Sequence, residues 1–247
     1  MISVERSPQR YARIGGVLYL VIILLGMFGE LYVRGTLVVP GNAEATAQAL
    51  SNSPFLWRSG IVGDLLMNMC DLPVILVMYL LLRPVSENLA LLATWVNLIL
   101  TAVLVANKLN LMVPLFLLDE VSYLKAFSPE QLHALSQLAI KAHSYGFAIG
   151  LIFFGFACTV RGYLIYRSVY FPKVLGVLIF GAGLSYLANS FAALLAPAFA
   201  SLIFPAVLVP ALVGELSFCL WLIVKGVDVE KWHQRIGLRR ADLNHQP

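Results

Sequence analysis

The stretch Gly63-Asp64-Leu65-Leu66-Met67-Asn68-Met69-Cys70-Asp71-Leu72-Pro73 decides how this chain is read. It lies inside an apolar run, 57–82, that is long enough to cross a bilayer. On a helix turning ~100° per residue, Asp64, Asn68 and Asp71 fall at about 0°, 40° and −20°, one polar stripe on one face. A charge at the centre of a spanning helix costs ~2.5–3.5 kcal/mol on insertion scales. Two acids on one stripe therefore require partners from other helices, so the fold has to be a bundle.

The rest of the chain agrees. Of 247 residues, 60% are hydrophobic and 12% charged; soluble domains carry about 25% charged residues. The expected class is all-α, a polytopic membrane helix bundle occupying 1–247 with no room for a second soluble domain. Cys70, Cys158 and Cys219 form no C-x-x-C pair, and His133, His143, His233 and His245 lack metal spacing, so neither a metal nor a cofactor is expected. The net charge of +4 collects at chain ends and short loops, where topology accounts for it and nucleic acid does not. Arg6, Arg10 and Arg13 precede an apolar run as in a signal peptide, but the run reaches Val33 without an A-x-A site, which reads as a retained first span.

Six transmembrane helices are expected, at about 11–33, 57–82, 89–118, 132–166, 172–195 and 201–224, followed by a basic tail, 226–247. Pro114 is expected to kink or end the third. With the N-terminus inside, the cytoplasmic side holds Arg6, Arg10, Arg13, Arg83, Arg161, Arg167, Lys173, Lys225, Lys231, Arg235, Arg239 and Arg240, against Arg34, Arg58, Lys125 and Lys141 outside. Twelve against four places both termini in the cytoplasm. Asn42 is set to N-cap a short surface helix, and Ser128-Pro129-Glu130-Gln131 reads as a capping box opening the fourth span. Lys231, Trp232, Arg235 and Ile236 suggest an interfacial helix in the tail.

Depths follow from a rise of ~1.5 Å per residue. Asp64 lies in the outer half of its span and Asp71 near the midplane. Lys108 is the one base placed within the membrane, and Asp64 matches its depth, with Asn107 or Asn110 expected to satisfy what remains. Glu30 and Arg34, spaced i,i+4, are expected to pair. Glu215 is near the midplane with no partner in its own span, where a carboxyl can keep its proton. His143 and Asn189 lie in outer halves. The candidate ligand-binding residues are thus Asp64, Asn68, Asp71, Asn107, Lys108, Asn110, His143, Asn189 and Glu215. They outline an outward-facing polar cavity, floored by Asp71 and Glu215, for a small polar or cationic solute. The rival reading is a structural or regulatory membrane subunit whose polar residues hold helices together. A third is a lipid-modifying enzyme using His143 with a carboxylate. Gly183-Leu184-Ser185-Tyr186 lacks the second glycine of the G-x-S-G found in intramembrane serine proteases, and Asp64 and Asp71 are ~10 Å apart along one helix, too far for a carboxylate dyad. No catalytic residue is expected.

Several stretches together carry a resemblance. They are Ala12-Arg13-Ile14-Gly15-Gly16, Val39-Pro40-Gly41-Asn42 with Ala45-Thr46, Leu80-Leu81-Leu82-Arg83-Pro84-Val85, Ala142-His143-Ser144-Tyr145-Gly146, Phe153-Phe154-Gly155, and Gly214-Glu215-Leu216-Ser217 with Leu220-Trp221-Leu222. On these the chain resembles a family of bacterial multi-pass membrane proteins, domain of unknown function 4386. Position 42 is Asn where that pattern has Asp, which removes a charge and keeps the cap. The resemblance implies a bacterial inner-membrane location, with the lipid bilayer as partner, and carries over no activity, cofactor or catalytic residue.

Overall fold

The computed structural model describes residues 7–119 and 121–244, with side chains through 237. Arg6 and His245 and the side chains of Arg239 and Arg240 lie outside the described residues. Six helical segments are long and apolar enough to cross a membrane: Pro8–Leu37, Pro54–Leu82, Glu87–Leu117, Pro129–Arg167, Lys173–Leu195 and Ala206–Val224. The described residues contain no strand. This is an all-α polytopic membrane bundle.

The first span joins α1 (Pro8–Met27), a π-helical turn (Phe28–Arg34) and a last α-turn, α2 (Gly35–Leu37). A short helix, α3 (Ala43–Asn52), follows; Asn42 caps it by accepting from Ala45 N at 2.9 Å. The second span is α4 (Pro54–Leu82), and the third is α5 (Glu87–Asn107) with α6 (Leu109–Leu117). The fourth, α7 (Pro129–Arg167), opens on the expected capping box: Gln131 N donates to Ser128 Oγ at 3.4 Å and Ser128 N to Gln131 Oε1 at 2.9 Å. The fifth is α8 (Lys173–Leu195); α9 (Pro197–Ile203) is a short connector; α10 (Val209–Val224) is the core of the sixth; α11 (Val229–Asn244) is the tail. Gln9 Nε2 donates to Lys225 O at 2.7 Å and Gln9 Oε1 accepts from Val227 N at 2.9 Å, so the two chain ends meet on one face. That face is called terminal below, and the opposite one far.

Three expectations are corrected. The third span breaks at Lys108, not at Pro114. There the ladder tightens, Lys108 N donating to Val105 O at 3.2 Å and Leu111 N to Lys108 O at 3.0 Å, both i to i−3 steps. Pro114 falls inside α6, close enough to its end that the missing N–H interrupts little. The sixth span starts at Ala206 rather than 201, because Pro205 cannot continue a ladder from Ser201–Ile203, which belong to α9. The tail helix forms but does not simply lie on the surface: Trp232 is fully buried in the apolar core of the terminal half, among Leu81, Leu82, Leu164, Tyr170 and Leu222. Tyr170 ties the adjoining loop down, its hydroxyl donating to Leu81 O at 2.6 Å.

Lipid is as apolar as leucine, so helices here associate through close backbone approach and hydrogen bonds rather than hydrophobic burial. The antiparallel pair α7 and α8 shows this most clearly. Gly155 faces Gly183 and Gly162 faces Gly176. A Cβ at Gly162 would lie 2.5 Å from Phe180 N and 2.8 Å from Gly176 O. Gly16 lets α1 meet α10 in the same way, a Cβ there being 2.9 Å from Ile223 N, and Cys219 Sγ donates to Gly16 O at 3.3 Å. A second apolar core closes the far half. Trp57, Val33, Leu50, Leu111 and Ile140 pack under α3, and Trp57 Nε1 donates to Leu111 O at 2.8 Å. On α4, Asp64, Asn68 and Asp71 lie between these two cores.

Candidate functional site

The stripe of α4 does face the bundle: Asp64 and Asn68 are buried and Asp71 half-buried. Its two acids serve different clusters.

Asp64 belongs to an ion network toward the far face. Lys108 Nζ lies 2.8 Å from Asp64 Oδ2, the pair expected from depth. Arg34 is a second cation on the same acid, with Nη1 at 2.8 Å from Oδ2 and Nη2 at 3.3 Å from Oδ1. Arg34 Nε also meets Glu30 Oε2 at 2.7 Å, so the expected i,i+4 pair forms and is extended to α4. Both Glu30 and Arg34 stand on the π-helical turn, a geometry concentrated at functional or strained positions. Gly29 permits the approach, since a Cβ there would overlap Asp64 Oδ1. His143 Nε2 is 3.3 Å from Lys108 Nζ. An ammonium only donates, so Nε2 is the acceptor and the imidazole proton is on Nδ1. Asn107 and Asn110 do not complete Lys108 as expected. Asn107 Nδ2 donates to His143 O at 2.8 Å, and Asn110 Nδ2 to Asn107 Oδ1 at 2.9 Å, because the break at Lys108 turns Asn107 toward α7. Gly146 makes room, as a Cβ there would overlap Asn107 Oδ1. Two acids and two bases alternate in this network, and their formal charges cancel.

Asp71 belongs to a cavity of about 330 Å³ to which all six spanning segments contribute. Its walls include Ile22, Ile23, Val74, Leu100, Leu104, Leu151, Phe154, Leu212 and Phe218. Its polar groups are Asn68, Asp71, Arg161 and Glu215, with Tyr19 and Tyr186, and Glu30 at its far end. Asp71 Oδ2 accepts from Asn97 Nδ2 at 2.9 Å and from Thr101 Oγ1 at 2.7 Å. Tyr186 donates to Glu215 Oε1 at 2.5 Å. Met27, Leu31 and Leu212 line the cavity and are themselves about half exposed, so it opens sideways between the far halves of α1 and α10.

Arg161 is the residue that sequence reasoning misplaced. The charge count places it at the cytoplasmic end of the fourth span; it is 8% exposed and faces the cavity. It lies six residues before the end of α7, ~9 Å into the bundle. Side chains lean toward a helix N-terminus, and α7 runs from the far face to the terminal one, so the guanidinium is carried inward, toward Asp71 and Glu215. The signal was present in the apolar Tyr163–Tyr166 stretch between Arg161 and Arg167, where only the second arginine is needed at a membrane boundary. Lys108 is accordingly not the sole base inside the membrane. Thr101, Tyr19 and Tyr186 are also missed, being too ordinary in apolar helices to stand out, and Asn97, which stands apart from the outer polar groups by depth, is not among the candidates.

The nine sequence-predicted residues therefore divide. Asn68, Asp71 and Glu215 line the cavity, whereas Asp64, Lys108, His143, Asn107 and Asn110 are packed in the far-side network. Asn189 is half-buried on α8 and is not part of the cavity wall. His143 is buried against Lys108, which itself holds Asp64. Ser185 donates to the Val207 carbonyl, holding the turn before α10. Among the described residues no group of three His, Cys, Asp or Glu side chains is arranged to hold a metal ion.

The family model described as Domain of unknown function (DUF4386) matches residues 14–226, from early α1 to the end of α10, and both polar clusters lie within the match. A protein of Archaeoglobus fulgidus described as "Uncharacterized protein" is 29% identical over 166 residues, covering 67% of this chain and 83% of that one, so the similarity is not confined to bacteria. No solved structure matches the chain. With a match of that extent, the chain belongs to the Domain of unknown function (DUF4386) family.

Proposed function

We propose that this protein binds a small amphipathic molecule inside the membrane, in the cavity between α1 and α10, either to hold it or to move it across. The observation that carries this is the union, around one void, of Asp71, Arg161 and Glu215 from three different helices with walls that are otherwise mostly apolar. The volume falls in the range of small-molecule sites, ~300–1,000 Å³, which are apolar with a few convergent polar groups. A purely polar solute suits the floor and not the walls; an amphipathic one suits both. Charged residues kept inside a membrane bundle serve function more often than stability. With Arg161 removed from the count, basic residues still favour the terminal side by eleven to four, which supports termini in the cytoplasm and a cavity opening toward the outer leaflet. The resemblance to bacterial proteins and the similarity to an archaeal one both fit a cytoplasmic (inner) membrane.

A structural role is favoured for the Asp64 network alone, where each cation is closed onto an acid at 2.8 Å. The two roles separate in one experiment. Protein in lipid nanodiscs is melted with and without a panel of polar solutes and amphiphiles, as wild type, Asp64→Asn and Glu215→Gln. Amphiphiles are expected to raise the wild-type Tm and to lose that effect in Glu215→Gln, while Asp64→Asn lowers Tm throughout and keeps the ligand response. A panel without effect on the wild type would overturn the proposal.

A further inference from the structure

The cavity floor is incomplete in a specific way. Arg161 Nη2 is buried and has no hydrogen-bond partner, although a buried guanidinium donor left unmade is costly. Both carboxylates feel the charge of Arg161, yet among the described residues no ion pair within 4.0 Å joins it to either. Each acid is instead clamped by neutral donors: Asp71 Oδ2 by Asn97 and Thr101, Glu215 by Tyr186 at Oε1 and by Tyr19. The Asp64 network behaves oppositely, its cations closing onto the acid at 2.8 Å. At the cavity floor two acids and one base are held apart, each with bonding capacity left, while Glu30 at the far end is already paired with Arg34. That is preorganisation for a ligand that supplies the missing groups.

Charge and hydrogen-bond counting then selects the ligand. A cation between Asp71 and Glu215 favours the ionised form of both acids, and two carboxylates against one guanidinium then leave one negative charge for it to match. The free Nη2 asks for an oxygen acceptor close to that cation. The apolar walls, with an opening between α1 and α10, ask for an apolar body. Resting on the binding role proposed above, we infer that the occupant is an amphipathic amine: an apolar chain ending in one ammonium, with a hydroxyl, carbonyl or ester oxygen beside it. The ammonium donates to the open sides of Asp71 and Glu215, and the neighbouring oxygen accepts from Arg161. A fatty acid would add a third anion beside two, and a simple alcohol would leave the surplus charge unmatched.

The test is a matched series of one chain length: decylamine, decanol, decanoate and the corresponding amino alcohol. Saturable binding to the full-length protein in zwitterionic nanodiscs is measured over empty-disc partitioning. The amino alcohol is expected to bind most tightly, the amine next, and the alcohol and acid weaker by about tenfold or more, near 1.4 kcal/mol per tenfold. Arg161→Gln is expected to reduce the amino alcohol to the level of the amine, and Glu215→Gln to erase the preference for amine over alcohol. The wild-type ranking decides the matter even where a variant folds poorly. Equal binding of all four, or tightest binding of decanoate, would overturn the head-group assignment and leave the cavity reading standing. Absence of saturable binding by any of them would overturn both.

Discussion

Lys108, at the break in the third span, holds its ammonium nitrogen 2.8 Å from Asp64 Oδ2, and both residues are buried. Because Arg34 also holds Glu30, removing Asp64 strands Lys108 and leaves Arg34 only its more exposed pair with Glu30, while removing Lys108 leaves an Arg34–Asp64 pair intact. Breaking a buried pair from the side of the shared partner costs ~3–5 kcal/mol. Asp64→Asn is therefore expected to lose about that much in reversible unfolding from detergent micelles. Lys108→Met should lose only ~1.5–3 kcal/mol, one charge-assisted bond. Equal losses from the two would show that Arg34 contributes nothing.

The glycine pairs of α7 and α8 make a second prediction. A methyl at Gly162 meets backbone atoms at 2.5 and 2.8 Å, and backbone has nowhere to go. Gly162→Ala is expected to destabilise by ~1–3 kcal/mol through overpacking. Gly181 lies on the same α8 with nothing within 4 Å of an added Cβ. Gly181→Ala should therefore be neutral, or stabilising by up to ~1 kcal/mol from helix propensity. The pair of melts, run side by side, checks whether close approach or glycine flexibility holds these helices.

Much of this was legible from residue types, because a membrane restricts the alternatives. Spans, caps and the Asp64–Lys108 pair all follow from rise per residue and from the cost of an unpartnered charge in lipid. What was not legible depended on direction rather than depth. The Lys and Arg count gives Arg161 a side of the membrane and no direction, and the lean of its side chain toward the start of α7 carries it into the cavity. Depth alone likewise put Asp64 and Asp71 on one site; only the positions of neighbouring helices send one to Lys108 and Arg34 and the other to Asn97 and Thr101. The docking of Trp232 was hidden because an amphipathic pattern looks the same against a core as against headgroups.

Outside the membrane, Asp228 opens α11 with a double contact to Lys231. Its Oδ1 accepts from the Lys231 backbone N at 3.2 Å, and its Oδ2 lies 2.9 Å from Lys231 Nζ. The Lys231 side-chain bond holds the Asp228 carboxyl below its ordinary value, and the same bond raises Lys231. A depressed carboxyl stabilises above its unfolded value and loses the effect as pH falls through the folded one. A raised lysine stabilises below its unfolded value and loses the effect as pH rises through the folded one. The first turn of α11 should thus be best protected across the neutral range and loosen at both extremes, modestly because the pair is exposed. Amide exchange of residues 231–234 against pH checks this. Asp228→Asn keeps an acceptor for the cap and should flatten both limbs, because the bond that lowers Asp228 is the one that raises Lys231.

Leu212 offers the most direct test of the cavity, because it lines the void and is about half exposed, so a larger side chain there has room to turn inward without displacing the core. Leu212→Trp is expected to fill the opening between α1 and α10 while leaving Asp71, Arg161 and Glu215 untouched. Filling an existing void does not force off-rotamer packing, so the apo Tm should stay within a degree or two, equivalent to less than ~1 kcal/mol. Saturable amphiphile binding should drop by about tenfold or more, since the apolar body loses its place. Phe218 and Val74 line the same void but are buried in the terminal-half core, and enlarging them would confound occupancy with folding. An unchanged affinity in Leu212→Trp, at unchanged Tm, would place the ligand somewhere other than this cavity.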